Sequence, residues 1–135
     1  MGFTTRLSAR LGTCLAVCAF LGTFLAPSSA AFPSSGKWQG FWSDYPADQT
    51  RSVPVTLTLS STDPIKGTIV VPSMGCTSSW TETNRTSDTL RTVAANNIGG
   101  PCRDNIWNVT LEADGRISGT DSVDSGVIVN LTPSR

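Results

Sequence analysis

Residues Ser52–Leu59 read SVPVTLTL, with Val53, Val55, Leu57 and Leu59 alternating against Pro54, Thr56 and Thr58. Strict alternation sends one set of side chains to each face of an extended strand and cannot place them on one face of a helix. No window elsewhere carries apolar residues at helical spacing over ten or more positions. The same extended text recurs at Lys37–Ser43, Thr68–Val71, Cys76–Thr83, Thr89–Ala95, Asn105–Leu111, Ile117–Asp121 and Gly126–Leu131. Turn residues separate these runs: Tyr45-Pro46-Ala47-Asp48, Asp63-Pro64-Ile65-Lys66-Gly67, Asn96 through Pro101, and Ala113-Asp114-Gly115-Arg116 with its Asp-Gly hairpin signal. Pro54 donates no ladder hydrogen bond, so its strand lies at an edge or bulges there. The pattern predicts an all-β fold, a small antiparallel barrel or sandwich of seven to eight short strands. Strands this short predict an interior filled by its own side chains, with no internal ligand cavity.

The first 30 residues stand apart. Met1–Arg10 carries Arg6 and Arg10 with no acid, Leu11–Leu25 is uncharged and apolar, and Pro27 then precedes Ser28-Ser29-Ala30. Positive end, apolar middle and small-x-small exit make a cleavable, bacterial-looking export signal. The apolar run of 15 residues falls short of a membrane span, which needs about 20. Residues 1–30 therefore read as signal peptide, 31–36 as a flexible leader, and 37–135 as a single β-domain, secreted to the extracellular side with no further membrane association.

Removing the signal leaves 8 basic and 10 acidic residues scattered singly, a formal charge of −2. Nucleic acid would need a cluster of Lys and Arg to displace counterions, so it is excluded as a partner. Signal removal also takes away Cys14 and Cys18, leaving Cys76 and Cys102. In an oxidising compartment an isolated pair reads as one disulfide. It closes a loop of 26 residues, a constraint worth about 3–4 kcal/mol by chain entropy.

The chain has no histidine, which removes the commonest general base and every Ser-His-Asp or Cys-His arrangement. Asp44, Asp48, Glu82, Asp88, Asp104, Glu112, Asp114, Asp121 and Asp124 fall mostly in turns or beside Ser, Asn and Gly, and read as solvated charge. Asp121-Ser122-Val123-Asp124-Ser125-Gly126 has two carboxylates three apart and no closing Glu, so it reads as a tight turn and not a calcium loop. No catalytic residue, cofactor or metal ligand is expected. Trp80 and Trp107 alternate with neighbours in the manner of core residues. Trp42, Asp44 and Tyr45, at a strand end running into a loop, are the expected binding surface. Asn84-Arg85-Thr86, Asn108-Val109-Thr110 and Asn130-Leu131-Thr132 match the N-glycosylation pattern at close to its chance frequency.

Trp38-x-Gly40, Pro54–Leu59, Gly67–Pro72, Gly75-Cys76, Cys102 and Gly126–Leu131 together resemble small β-domains of secreted or envelope proteins of actinobacteria and related bacteria. That resemblance implies the fold and the disulfide but no activity. Near Ile117–Asp121 this chain has Ser-Gly-Thr where an aromatic is expected. Gly36-Lys37-Trp38 is also similar to the opening of lipocalin-like barrels, among them bacterial secreted metalloprotease inhibitors. The second resemblance implies a leader, here residues 31–35, that enters a protease cleft. Three functions are expected. The first is a non-enzymatic secreted domain binding a protein or envelope partner, and the alternative is an extracellular protease inhibitor acting through its leader. The third is a glycan-binding module that exposes Trp42 and Tyr45 in one patch as a stacking platform for sugar rings.

Overall fold

A computed structural model describes residues 31–43 and 52–135. The expected export signal over residues 1–30, and Asp44 and Tyr45 of the expected surface, lie outside the described residues. The fold is all-β. Eight strands, β1 (Gly36–Ser43), β2 (Ser52–Thr62), β3 (Ile65–Val71), β4 (Cys76–Arg85), β5 (Leu90–Gly99), β6 (Asn105–Leu111), β7 (Ile117–Asp121) and β8 (Ile128–Pro133), follow in order. Each pairs antiparallel with the next, and β1 closes on β8 through Trp38↔Pro133 to Ser43↔Ile128, so the sheet is a closed barrel without free edges.

Strand alternation builds the wall. Along β2, Val55, Leu57 and Leu59 are buried while Pro54, Thr58 and Ser60 are exposed. Polar residues such as Gln39, Ser60, Thr81, Asn108, Asn130 and Thr132 cover the outer face, the reverse of the polarity a barrel needs in lipid. Pro54 pairs with Phe41 of β1, whereas pairing with β3 begins only at Thr56, so Pro54 sits where β2 has a single neighbour. Gly40 faces the closure seam: a Cβ there would lie 1.7 Å from the backbone oxygen of Asn130. Only a residue without a side chain lets β1 and β8 approach this closely.

Several expected boundaries move: β2 extends to Thr62 and β4 to Arg85, and three further shifts have a clear cause. The Asp63-Pro64-Ile65-Lys66-Gly67 turn shrinks to Asp63-Pro64, because Ile65 is fully buried and Gly67 pairs with Leu59 in the ladder. Strand β5 runs on to Gly99, held by the pairs Ser79↔Asn96, Ser78↔Asn97 and Thr77↔Gly99. Strand β8 is shifted two residues later, because β1 keeps pairing with it as far as Pro133.

The segment expected to be a flexible leader is docked. The Phe32 ring stacks on Trp38 with centroids 6.0 Å apart and planes within 7°. Thr62 fixes the backbone beside it, its N–H donating to Ser34 O at 3.0 Å and its hydroxyl to Pro33 O at 2.7 Å. A free end with no acceptor or apolar neighbour would stay mobile; here it finds both. Residues 32–34 cover one end of the barrel, the closed end. There the interior is filled by Trp38, Leu59, Ile65, Leu111 and Ile117, all buried. Trp38 Nε1 donates to Gly115 O at 2.8 Å, tying β1 to the Asp-Gly turn between β6 and β7. Glu82 corrects the reading of the acids as solvated charge: its side chain is 8% exposed and ion-paired with Arg91.

Candidate functional site

The opposite end carries the connections after β3, β5 and β7. Here the expectation of a completely filled interior fails. A hollow of about 800 Å³ opens between these connections and reaches inward along Val55, Ile69, Ser78, Ala95, Trp107 and Val129. The physical reason lies in side-chain size. At the closed end the inward positions hold Trp, Leu and Ile, whereas here Trp42, Ile69 and Trp107 are interspersed with the smaller Val55, Ser78, Ala95 and Val129, and Gly40 has no side chain. Closing eight strands fixes the barrel's diameter, and small inward residues then leave part of it open. Below the hollow, Leu57, Trp80, Val93 and Val109 are almost completely buried and form its floor.

Of the residues expected to bind, Trp42 lines this hollow. It is half-buried on the inward face of β1, and its buried Nε1 finds no acceptor among the described residues. Trp42 is therefore no exposed stacking platform. Trp80 and Trp107 are core residues as expected, their rings 6.4 Å apart and tilted by 33°, and Trp107 also faces the hollow. Met74, Ile106 and Val123 add exposed apolar surface at the rim. The sequence reading missed these three. An apolar Val123, 94% exposed inside the otherwise polar turn Asp121–Gly126, was the one available signal.

The disulfide expected from the two mature cysteines is formed. Cys76 opens β4 and Cys102 lies in the connection between β5 and β6, with Cα atoms 5.8 Å apart. Both cysteines and Pro101 form one wall of the hollow. Asn97 organises the same connection: its amide donates to Gly100 O and Cys102 O at 2.7 Å each, and its Oδ1 accepts from Gly99 N at 2.8 Å. Gly100, at φ +91°, packs so close that a Cβ would lie 2.1 Å from Gly75 O. Disulfide and close approach together bind two neighbouring rim loops into one unit.

The facing rim is built by Asp121. Its Oδ1 accepts from Val123 N at 2.8 Å and Asp124 N at 3.2 Å, and its Oδ2 from the Asn105 amide at 3.1 Å. Asp124 Oδ1 in turn accepts from Gly126 N at 3.0 Å. This is the tight turn expected, capped from within. Partial burial works against the Asp121 charge, but the Val123 N–H, Asn105 amide and Asp124 N–H outweigh it and hold its carboxyl below the usual range. Asp104, also at the rim, accepts from Asn97 N at 2.6 Å. The carboxylates around the opening are thus committed to shaping their own loops. Among the described residues, no cluster of three or more His, Cys, Asp or Glu is placed to hold a metal ion.

Comparison with family models, characterised proteins and solved structures returned no match, so the site is read from its geometry alone.

Proposed function

We propose that the chain is a secreted, non-enzymatic binding barrel that takes its partner at the open end. One observation supports this above all others: the hollow of about 800 Å³ walled by apolar side chains and open to solvent. Small-molecule sites span roughly 300–1,000 Å³, are mostly apolar, and occur in the mouths of β-barrels. The non-enzymatic part of the reading is supported by the carboxylates Asp104, Asp121 and Asp124, each of which serves a backbone N–H of its own loop. Action as a protease inhibitor through residues 31–36 has less support. Phe32, Pro33 and Ser34 would have to leave Trp38 and Thr62 before entering a cleft.

Uptake of N-phenyl-1-naphthylamine, a neutral apolar fluorophore, tests the reading. Saturable uptake at one site per chain, with energy transfer from tryptophan, is the expected result. Ala95→Phe, which places a ring in the hollow, abolishes it, while Phe41→Ser on the outer face leaves it unchanged. Equal uptake by the Ala95→Phe protein would set the reading aside.

A further inference from the structure

If the open end is the binding site, its walls restrict what can enter. Val55, Ile69, Val71, Ala95, Trp107 and Val129 give the hollow an apolar interior with no ionisable side chain among them. A charged group drawn inside would lose its hydration with no counter-charge to replace it, a cost that excludes unpaired ions from apolar sites. The rim adds a second filter. Among the described residues, Asp104, Asp121 and Asp124 place negative charge at the opening, against Arg103 as the basic residue of the same lining. Anions are therefore disfavoured on approach. Cations find the carboxylates already accepting from Asn97 N, Val123 N, Asp124 N, the Asn105 amide and Gly126 N.

One lining residue carries a buried donor without a partner. The Trp42 indole N–H is buried and has no acceptor among the described residues. Buried donors are nearly always satisfied, and tryptophan offers a donor only. Trp80 Nε1 is likewise unpaired but lies in the floor and is not part of the lining. The group that suits Trp42 is thus an acceptor carried by the occupant. We infer that the ligand is an uncharged, largely apolar small molecule bearing one accepting oxygen, which receives the Trp42 N–H while its hydrocarbon part lies against Val55, Ile69 and Val129. This rests on the open-end reading above and adds the class of ligand to it.

Displacement of N-phenyl-1-naphthylamine from the disulfide-bonded protein tests the class, since that probe carries no oxygen. The competitors are 2-octanone, octanoate and octylammonium. The ketone should displace the probe at concentrations about tenfold below either ion, given the cost of stripping a charge of water. Trp42→Phe should weaken the ketone about fivefold more than it weakens the probe, the usual worth of one neutral hydrogen bond. Either ion matching the ketone overturns the ligand class while leaving the open end as the site. Equal weakening of ketone and probe by Trp42→Phe overturns Trp42 as the donor. No uptake of the probe at all removes the site and the class together. The charge series needs no variant, so it decides the class even where Trp42→Phe folds poorly.

Discussion

Arg91 and Glu82, nine residues apart on adjacent strands, meet inside the closed end with Nη1 2.5 Å from Oε1 and side chains only 5% and 8% exposed. Arg91 also donates to Thr62 O at 3.2 Å and Asp88 O at 2.8 Å, so the guanidinium bridges three separate stretches of the wall. Replacing it takes the partner from Glu82 Oε1 and leaves Arg85 alone to hold the carboxylate through Oε2 at 2.7 Å. Arg91→Met should lower the unfolding free energy by about 2 kcal/mol, below the cost of a fully unpaired buried charge. Glu82→Gln/Arg91→Met should recover part of that loss, as measured by denaturant titration at neutral pH.

The same pair sets a pH dependence. Burial pushes against the Glu82 charge, but hydrogen bonds from Arg91 and Arg85 overcome it, and its carboxyl titrates below the ordinary value. A carboxyl lowered in the folded state contributes stability that is complete above its unfolded pKa and is lost as pH falls through the folded one. Melting temperature should therefore fall on acidification below the ordinary carboxylate range. Glu82→Gln should start from a lower value and flatten that part of the profile. An unchanged slope in Glu82→Gln would show that the acid sensitivity arises elsewhere.

Gly40 and Gly119 both face inward but are crowded differently. A Cβ at Gly40 meets the Asn130 backbone oxygen at 1.7 Å, whereas at Gly119 it meets side-chain methyls of Val109 and Val129 at 3.0 and 3.1 Å. Methyls can shift by a few tenths of an ångström, and a paired backbone cannot. Gly40→Ala should cost about 3 kcal/mol or more by prising β8 from β1, and Gly119→Ala about 1 kcal/mol. Thermal denaturation of the two variants side by side decides it; equal losses would contradict the seam geometry.

The strands were legible because each carries its own alternation. Asn105–Leu111 and Ile117–Asp121 emerge with their expected bounds, and the Cys76–Cys102 bond follows from there being no other cysteine outside the expected signal. The remainder depends on closure, which no local pattern encodes. Asn96 and Asn97 look like loop text, yet they pair with Ser79 and Ser78 because β4 lies alongside. Glu82 looks like surface charge until the barrel turns it toward Arg91. The hollow escapes the sequence for a related reason. Strand length says how tall a barrel is, but the space inside depends on which inward positions share a layer. Ser78, Ala95 and Val129 share one only after β1 meets β8. Of the expected surface, Trp42 joins the site by lining the hollow rather than by exposing a face.

Reduction should act on the rim more than on the floor. The disulfide and the Gly100–Gly75 contact hold the loops around 72–75 and 99–104 together, while Leu57, Trp80 and Val93 lie elsewhere in the core. Cys76→Ser/Cys102→Ser should lose about 3–4 kcal/mol of stability. In hydrogen exchange measured under conditions where the variant stays folded, amides of 99–104 should speed up well before those of β2. Uniform acceleration would mean that the bond supports the whole barrel equally.

Asp121 makes the other side of the rim sensitive to acid. Its lowered carboxyl accepts from Val123 N and Asp124 N, so by the sign that applies to Glu82 the turn is firmest above the ordinary carboxylate range and loosens as pH falls through the lowered value. Exchange of the Val123 and Asp124 amides, corrected for intrinsic rates, should rise on acidification. Asp121→Asn should show that faster exchange already at neutral pH.

The tryptophans test the proposed binding at the open end directly, because Trp42 and Trp107 line the hollow while Trp38 is tied to Gly115 at the closed end. Indole N–H resonances followed in two-dimensional ¹⁵N–¹H spectra during titration with 2-octanone give the measurement. The expected result is a saturable shift of the Trp42 indole, a smaller one for Trp107, and a fixed Trp38. A titration that leaves Trp42 in place, or moves Trp38 as far, would contradict binding at the open end.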